Sequence, residues 1–302
     1  MKPISSSQSP CQLRIGPAGW SYADWEGVVY PRPKPRNFHA IPYLGQFFDT
    51  IEINSSFYAH PKPEHATRWR ELVEELPNFR FTAKLNRVFT HDEFGSAGSF
   101  EQHRGAFSRG IQPIADRLGA VLVQFPISFR DAPDSRFRID RIREAFGEYG
   151  LVLELRHSSW FTADALLYIE TTNCSLAAID LPHAANHPPE DSPTPGPIGY
   201  LRLHGRNGAA WFDSKAGRDQ RYDYLYPPDE LTGLVRRAKT IAGGSETTFV
   251  VTNNHYTGKA VANALEISYL ILGQKAAAPT SMLDNYPHLR PITIGKGQQS
   301  LF

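Results

Sequence analysis

Thr50-Ile51-Glu52-Ile53-Asn54-Ser55-Ser56-Phe57-Tyr58 decides how the fold is read. Ile51 and Ile53 alternate with Thr50, Glu52 and Asn54, so a strand here is apolar on one face and carries a carboxylate and an amide on the other. A strand buried in a parallel sheet is ordinarily a near-continuous apolar run. Polar groups gathered at the end of such a strand point to a site.

Working outward, seven more segments behave like strands: 13–16, 80–85, 120–125, 151–155, 176–180, 200–204 and 248–252. Between them, apolar residues recur at helical spacing, as in Phe38, Ile41, Leu44 and Phe48, or Leu231, Leu234, Val235, Ala238 and Ile241. Eight strands alternating with helices predict an α/β fold with a parallel sheet, a single-domain (β/α)8 TIM-type barrel over residues 13–273. The helix expected after the sixth strand is replaced by the Pro-rich loop 183–197. An open doubly wound sheet is the fallback, but no glycine-rich dinucleotide fingerprint follows the first strand. Residues 1–12 read as a disordered Ser/Pro-rich tail, and 274–302 as an extended C-terminal tail.

Composition narrows the classes. The chain has 302 residues, 41% of them hydrophobic, enough for one large barrel core. The net charge of +1 implies no bulk attraction to nucleic acid or membrane. Cys11 and Cys174 build no disulfide framework, which suits a reducing, cytoplasmic setting. The first ten residues lack the apolar segment of a signal peptide, and no apolar run reaches a membrane span of about 20 residues.

Strand parity then collects a polar set at the carboxyl ends, where barrel active sites form. It comprises Glu52, Asn54, Lys84, Gln124, Glu154, Arg156, Asp180, Arg202, His204, Asn253 and His255, with Asn254 beside them. Glu154 is the expected general acid/base, its pKa raised by burial, with Glu52 as partner carboxylate. His204 and His255 are expected to move protons. Lys84, Arg156 and Arg202 are expected to hold an anion such as phosphate, while Asn54, Gln124, Asp180, Asn253 and Asn254 complete the substrate-binding set. Aromatics at Trp20, Tyr22, Trp25, Phe57, Tyr58, Trp160, Trp211, Phe212 and Tyr222 form a rim suited to stacking on bases or sugars. The competing reading is an internal salt-bridge network that only specifies the barrel. A divalent metal is another reading, since Glu52, Glu154, Asp180, His204 and His255 are suitable donors. Three cations already compensate the carboxylates, though, and no His-Glu-x-x-His motif occurs, so no cofactor is expected.

Several blocks together resemble a known family. They are Gly19-Trp20-Ser21-Tyr22 with Trp25 and Tyr30-Pro31, Glu52 to Tyr58, Lys84 with Thr90-His91, and Gln124-Phe125-Pro126. Glu154-Leu155-Arg156-His157 with Trp160, Arg202-Leu203-His204-Gly205, and Asn253-Asn254-His255 with Gly258 continue the series. The chain resembles the domain of unknown function 72, the YecE-like family. The resemblance implies a TIM barrel, loosely similar to sugar isomerases and endonuclease IV-type nucleases, and no established reaction.

The chain ends Gln298-Gln299-Ser300-Leu301-Phe302. This resembles the peptide by which bacterial DNA polymerases and repair proteins dock on the β sliding clamp, with Gln298, Leu301 and Phe302 as partner-binding residues. A chance match, or a tail docked on its own barrel, is the alternative. Three functions follow. The first is a hydrolase or lyase acting on a phosphate-containing substrate, nucleic acid or nucleotide, recruited to DNA through the tail. The second is a carbohydrate or small-metabolite enzyme. The third is a non-catalytic DNA-associated adaptor.

Overall fold

The computed structural model describes residues 11–93 and 97–296. The clamp-like peptide at Gln298, Leu301 and Phe302 lies outside the described residues, as does most of the predicted N-terminal tail. The strands are β1 (Gln12–Pro17), β2 (Thr50–Ile53), β3 (Arg80–Lys84), β4 (Leu118–Gln124), β5 (Leu151–Glu154) and β6 (Ser175–Leu176). They continue with β7 (Ala178–Asp180), β8 (Ile198–Leu203), β9 (Thr247–Thr252), β10 (Ala276–Pro279) and β11 (Thr293–Lys296). All pair in parallel, in one sheet of order β2-β3-β4-β5-β6, a second of order β1-β9-β8-β7, and the pair β10-β11.

The fold is therefore a mixed α/β arrangement of parallel sheets with helices between the strands. Helices Pro63–Leu72, Pro133–Phe146 and Pro228–Ala242 each begin with a proline at the first turn. There the missing N–H removes no hydrogen bond and the ring presets φ. Helix Pro228–Ala242 buries Leu231, Leu234, Val235, Ala238 and Ile241, the stripe predicted from spacing. Residues 183–197 contain no helix. The larger apolar core lies between the strands and these helices. A smaller cluster takes Leu122 and Val152 from one sheet and Tyr200, Phe249 and Val251 from the other, so the two sheets share an interior.

The hydrogen-bond ladders of these sheets are not closed into one. The predicted sixth strand is split at Ala177: β6 pairs with β5, and β7 pairs with β8. At this seam the Pro195 carbonyl of the Pro-rich insert accepts the Leu176 N–H at 2.8 Å. At the other seam a single bridge joins Ala18 to Glu52, and the Gly19 N–H donates to the Glu52 carbonyl at 2.8 Å. Gly16 permits that approach, because a Cβ there would sit 1.9 Å from the Thr50 carbonyl oxygen.

Residues 276–296, expected to belong to an extended tail, instead form β10, helix Thr280–Asn285 and β11. Ala278, Met282 and Leu289 are buried, and the Tyr286 hydroxyl donates to the Thr257 carbonyl at 2.8 Å. The Ala/Pro-rich composition concealed three well-spaced apolar anchors. Among the described residues, no helix is long and apolar enough to cross a membrane.

Candidate functional site

The site is assembled at the carboxyl ends of strands from both sheets. Register sets Glu52 beside Thr82 and Gln124 beside Glu154. On β8, Tyr200 and Arg202 share a face and reach across to them. Arg202 Nη2 donates to Glu52 Oε1 at 2.7 Å and Nε to Oε2 at 3.0 Å, while Nη1 donates to Glu154 Oε2 at 3.1 Å. The Tyr200 hydroxyl donates to Glu52 Oε2 at 2.8 Å, and Thr82 Oγ1 lies 3.0 Å from it. Arg156 Nε and Nη2 both donate to Glu154 Oε1, at 2.8 and 2.6 Å.

These contacts set the protonation states. Burial alone would raise the Glu154 carboxyl, but the Arg156 and Arg202 guanidiniums and His204 outweigh it and hold it well below the ordinary carboxylate range. The expected raised pKa is thus corrected: two guanidiniums occupy a carboxylate that burial alone would have protonated. Burial opposes the Arg202 charge too, but Glu52 and Glu154 hold it above its ordinary value. Burial, with the Glu52 charge adding to it, pushes the Tyr200 hydroxyl well up, so it remains a donor.

His204 is fully buried, its Nε2 3.3 Å from Glu154 Oε1 and its Nδ1 3.2 Å from Asn253 Nδ2. Burial pushes the imidazole down to about 3 despite Glu154, so the ring is neutral. A neutral ring that donates from Nε2 to Glu154 and accepts from Asn253 at Nδ1 satisfies both nitrogens. His255 stacks on Tyr22 at 4.4 Å between centroids, and burial pushes it down to about 4. Its Nδ1 is buried with no hydrogen-bond partner. Asn54 hydrogen-bonds to the Tyr22 hydroxyl, which donates to the Ala18 carbonyl at 2.8 Å.

Lys84 stands apart from the ion pairs. Its Nζ donates to Gln124 Oε1 at 2.8 Å and lies 3.9 Å from the Phe57 ring centroid. Burial pushes the amine down to about 7, with Arg202 and Arg156 adding to the shift and Glu52 and Glu154 opposing it. His91 is pushed down to about 4 by burial first, then by Lys84, Arg156 and Arg87.

Three predicted site residues sit elsewhere. Asp180 faces the opposite side of its strand, because Ala177 and Ile179 take the interior. It binds Arg206 Nε at 2.9 Å and accepts the Tyr226 hydroxyl at 2.6 Å, beside a cleft of about 580 Å³ under the 183–197 loop. Asn254 also faces away, donating to the Tyr224 carbonyl and to Asn263 Oδ1 at 2.8 Å each. Trp160 is wholly buried against Phe129, whose carbonyl accepts its indole N–H at 2.8 Å. The rim is correspondingly narrower. Trp20 packs edge-on against Trp69, and Tyr58 is 67% exposed beside Phe57. The residues read as metal donors do not converge: Asp180 faces away, and guanidiniums occupy both glutamates. Among the described residues, no three His, Cys, Asp or Glu groups form a metal-holding cluster.

The architecture matches known proteins. A model of the family described as protein of unknown function DUF72 fits residues 14–284. The chain belongs to that family. Its relatives include the UPF0759 protein YunF of Bacillus subtilis, 26% identical over 86% of this chain and 94% of that one. The UPF0759 protein YecE of Escherichia coli K12 is 27% identical over 49% of this chain and 50% of its own length. A crystal structure of a DUF72 family protein from Thermotoga maritima is 28% identical, with a TM-score of 0.74, over 86% of this chain and 99% of that one. Another, from Enterococcus faecalis, has 24% identity and a TM-score of 0.75 over 86% of this chain and 96% of that one, a likeness of fold.

In this DUF72 chain several site residues escaped selection from sequence. Tyr200 lies two residues before Arg202 and so shares its face, a signal that parity carried. Thr82, two before Lys84, is the same case. His91 and Phe57 flank Lys84, Phe57 from the short helix Ser55–Tyr58 and read from sequence only as a rim aromatic. Trp211 and Tyr222, read only as rim aromatics, close over the two histidines. Tyr222 lies 6.2 Å from His204 and 5.2 Å from His255, and Trp211 lies 6.0 Å from His204.

Proposed function

We propose that this chain is an enzyme of the TIM-barrel type acting on a phosphate-containing substrate, a nucleotide or nucleic acid, at the carboxyl ends of its strands. One observation carries the reading. With Asp180 turned away, Lys84, Arg156 and Arg202 face, among the described residues, only Glu52 and Glu154, an excess of one positive charge when Lys84 is protonated. A buried site with surplus cationic charge gains an anion as its missing partner. The aromatic lip of Tyr22, Tyr222 and Trp211 supports a base-bearing ligand.

In this reading the two sheets act as one barrel wall. The Ala18–Glu52 bridge and the shared interior around Arg202 support that view. Glu52 and Glu154 position the cations and His204 rather than trading protons, since both are saturated by donors. The sequence of Gln298 to Phe302 supports recruitment to DNA through a sliding clamp.

Calorimetric titration tests the reading, with inorganic pyrophosphate, AMP, a short single-stranded DNA and cellobiose as ligands. The phosphate-bearing ligands bind, weaken as salt rises, and lose about tenfold or more in affinity in Arg156→Met, the scale of one charge-assisted hydrogen bond. Binding of cellobiose with none of the phosphate ligands would overturn it.

A further inference from the structure

We propose that Lys84 is a covalent-catalysis residue that captures a carbonyl substrate as an imine, the substrate's anionic group being received by Arg156. The imine step rests on the anion reading above for the choice of substrate and leaves its nucleotide part aside: the surplus positive charge belongs to the protonated amine, is absent from the neutral nucleophile, and returns in the protonated imine.

Lys84 ends β3, at the mouth side of the interior. Its Nζ is held from two directions, by the Gln124 amide oxygen and by the Phe57 ring. Among the described residues, no carboxylate lies within ion-pair distance of that nitrogen. The two nearby carboxylates are already taken, Glu52 by Arg202 and Tyr200, and Glu154 by Arg156 and Arg202. An amine in this setting is desolvated and faces other cations, two of the ways a lysine is made nucleophilic. The charged and titratable groups around it are Arg202, Glu52, Glu154, Arg156 and His91, and their sum with burial brings it to about 7. At neutral pH it is then about half unprotonated, against roughly one part in three thousand for an ordinary lysine. Lys34, by contrast, is paired with Glu26 at the surface, and Lys259 with Asp223.

The step balances simply. The neutral Nζ attacks the carbonyl carbon, a C–N bond forms, and the carbonyl π pair moves to oxygen, which takes the proton that nitrogen releases. The carbinolamine takes one further proton from solvent and loses water as its C–O bond breaks, leaving a protonated imine. The net consumption is one amine, one carbonyl and one proton, with one water released. Such an imine draws electrons from the neighbouring carbon, the chemistry a lyase uses.

The test is reductive trapping at pH 7 with sodium cyanoborohydride as hydride donor, using dihydroxyacetone phosphate, pyruvate and neutral dihydroxyacetone in parallel. Peptide mass mapping is expected to place one adduct on Lys84, formed at least about tenfold faster than any on Lys34 or Lys62, a small part of the difference in unprotonated fraction. The adduct is absent from Lys84→Arg and Lys84→Met. An absence of adduct at Lys84 with all three probes, or labelling no faster than at Lys34 and Lys62, overturns the proposal. The arms separate the two readings. Equal trapping of dihydroxyacetone and its phosphate keeps the imine and removes the anion preference. Calorimetric phosphate binding without an adduct keeps the anion site and removes the imine.

Discussion

Arg202 and Glu52 come from different sheets and meet through two parallel bonds, Nη2 to Oε1 at 2.7 Å and Nε to Oε2 at 3.0 Å. Both side chains are almost entirely enclosed, and the third Arg202 nitrogen is committed to Glu154. The pair therefore ties the two sheets together and fixes the charge of the interior at once.

Because a buried ion pair is costly to break from one side, Arg202→Met is expected to lose about 3–5 kcal/mol of stability. Among the described residues, the variant leaves Glu52 with only the Tyr200 hydroxyl and Glu154 with Arg156 and His204. Adding Glu52→Leu removes the stranded carboxylate and recovers part of the loss. Urea unfolding of the two variants checks this; a single-variant loss under about 1 kcal/mol would deny the pair a structural role.

Lys84 gives the stability curve a definite sign. Its pKa in the folded chain, about 7, lies below the ordinary lysine value of 10.5. The unfolded chain therefore holds more protons between those values, so this group's contribution to stability rises with pH there. From pH 7 to 9, wild type is expected to gain about 2 kcal/mol relative to Lys84→Met. Paired urea titrations at the two pH values measure the difference, and parallel curves would place the amine at its ordinary value.

Gly205 follows His204 with φ +89, and a Cβ there would fall 2.8 Å from Tyr224 Cβ. Its N–H donates to the Tyr226 hydroxyl at 2.8 Å, which in turn donates to Asp180. Gly205→Ala carries a left-handed backbone cost of about 1–2 kcal/mol before the clash is counted. It should also weaken nucleotide binding, because the loop it launches carries Trp211 and Tyr222. A variant with unchanged melting temperature and affinity would contradict this account.

The proposed recruitment through Gln298 to Phe302 has a direct test. Deleting Gln298 to Phe302 is expected to abolish binding to a bacterial β clamp, with full-length affinity in the micromolar range, about −8 kcal/mol. Surface plasmon resonance on the two forms decides it. Binding that survives the deletion assigns the contact to another surface.

The strands and the interior were legible because alternation has a fixed period. Glu52, Lys84, Gln124, Glu154, Arg202, His204 and Asn253 all fall on the predicted face and meet there. Asp180 departs from that face by the same rule, since alternation runs unbroken through 176–180: Ala177 and Ile179 face the interior, and Asp180 falls with Leu176 and Ala178 on the helix side. The state of Glu154 was not legible, because it depends on which nitrogens reach it across sheets, and burial and charge act on it in opposite directions. The β10–β11 unit was missed because a few buried anchors, here Ala278, Met282 and Leu289, decide the matter more than average composition does.

The proposed nucleotide reading makes the aromatic lip the part that distinguishes a nucleotide from a bare phosphate. Tyr222 lies 6.2 Å from the His204 ring and 5.2 Å from the His255 ring and meets Trp211 edge-on at 5.8 Å. A base stacked on such a platform is worth about 1–3 kcal/mol. Tyr222→Ala is therefore expected to weaken AMP binding by roughly 5- to 150-fold while leaving pyrophosphate within about twofold, since the cations proposed to hold the phosphate are untouched. The comparison is made in one calorimetric series on a single preparation. Equal losses for both ligands would mean that Tyr222 shapes the loop and does not contact the base, and equal retention would place the base on another part of the mouth.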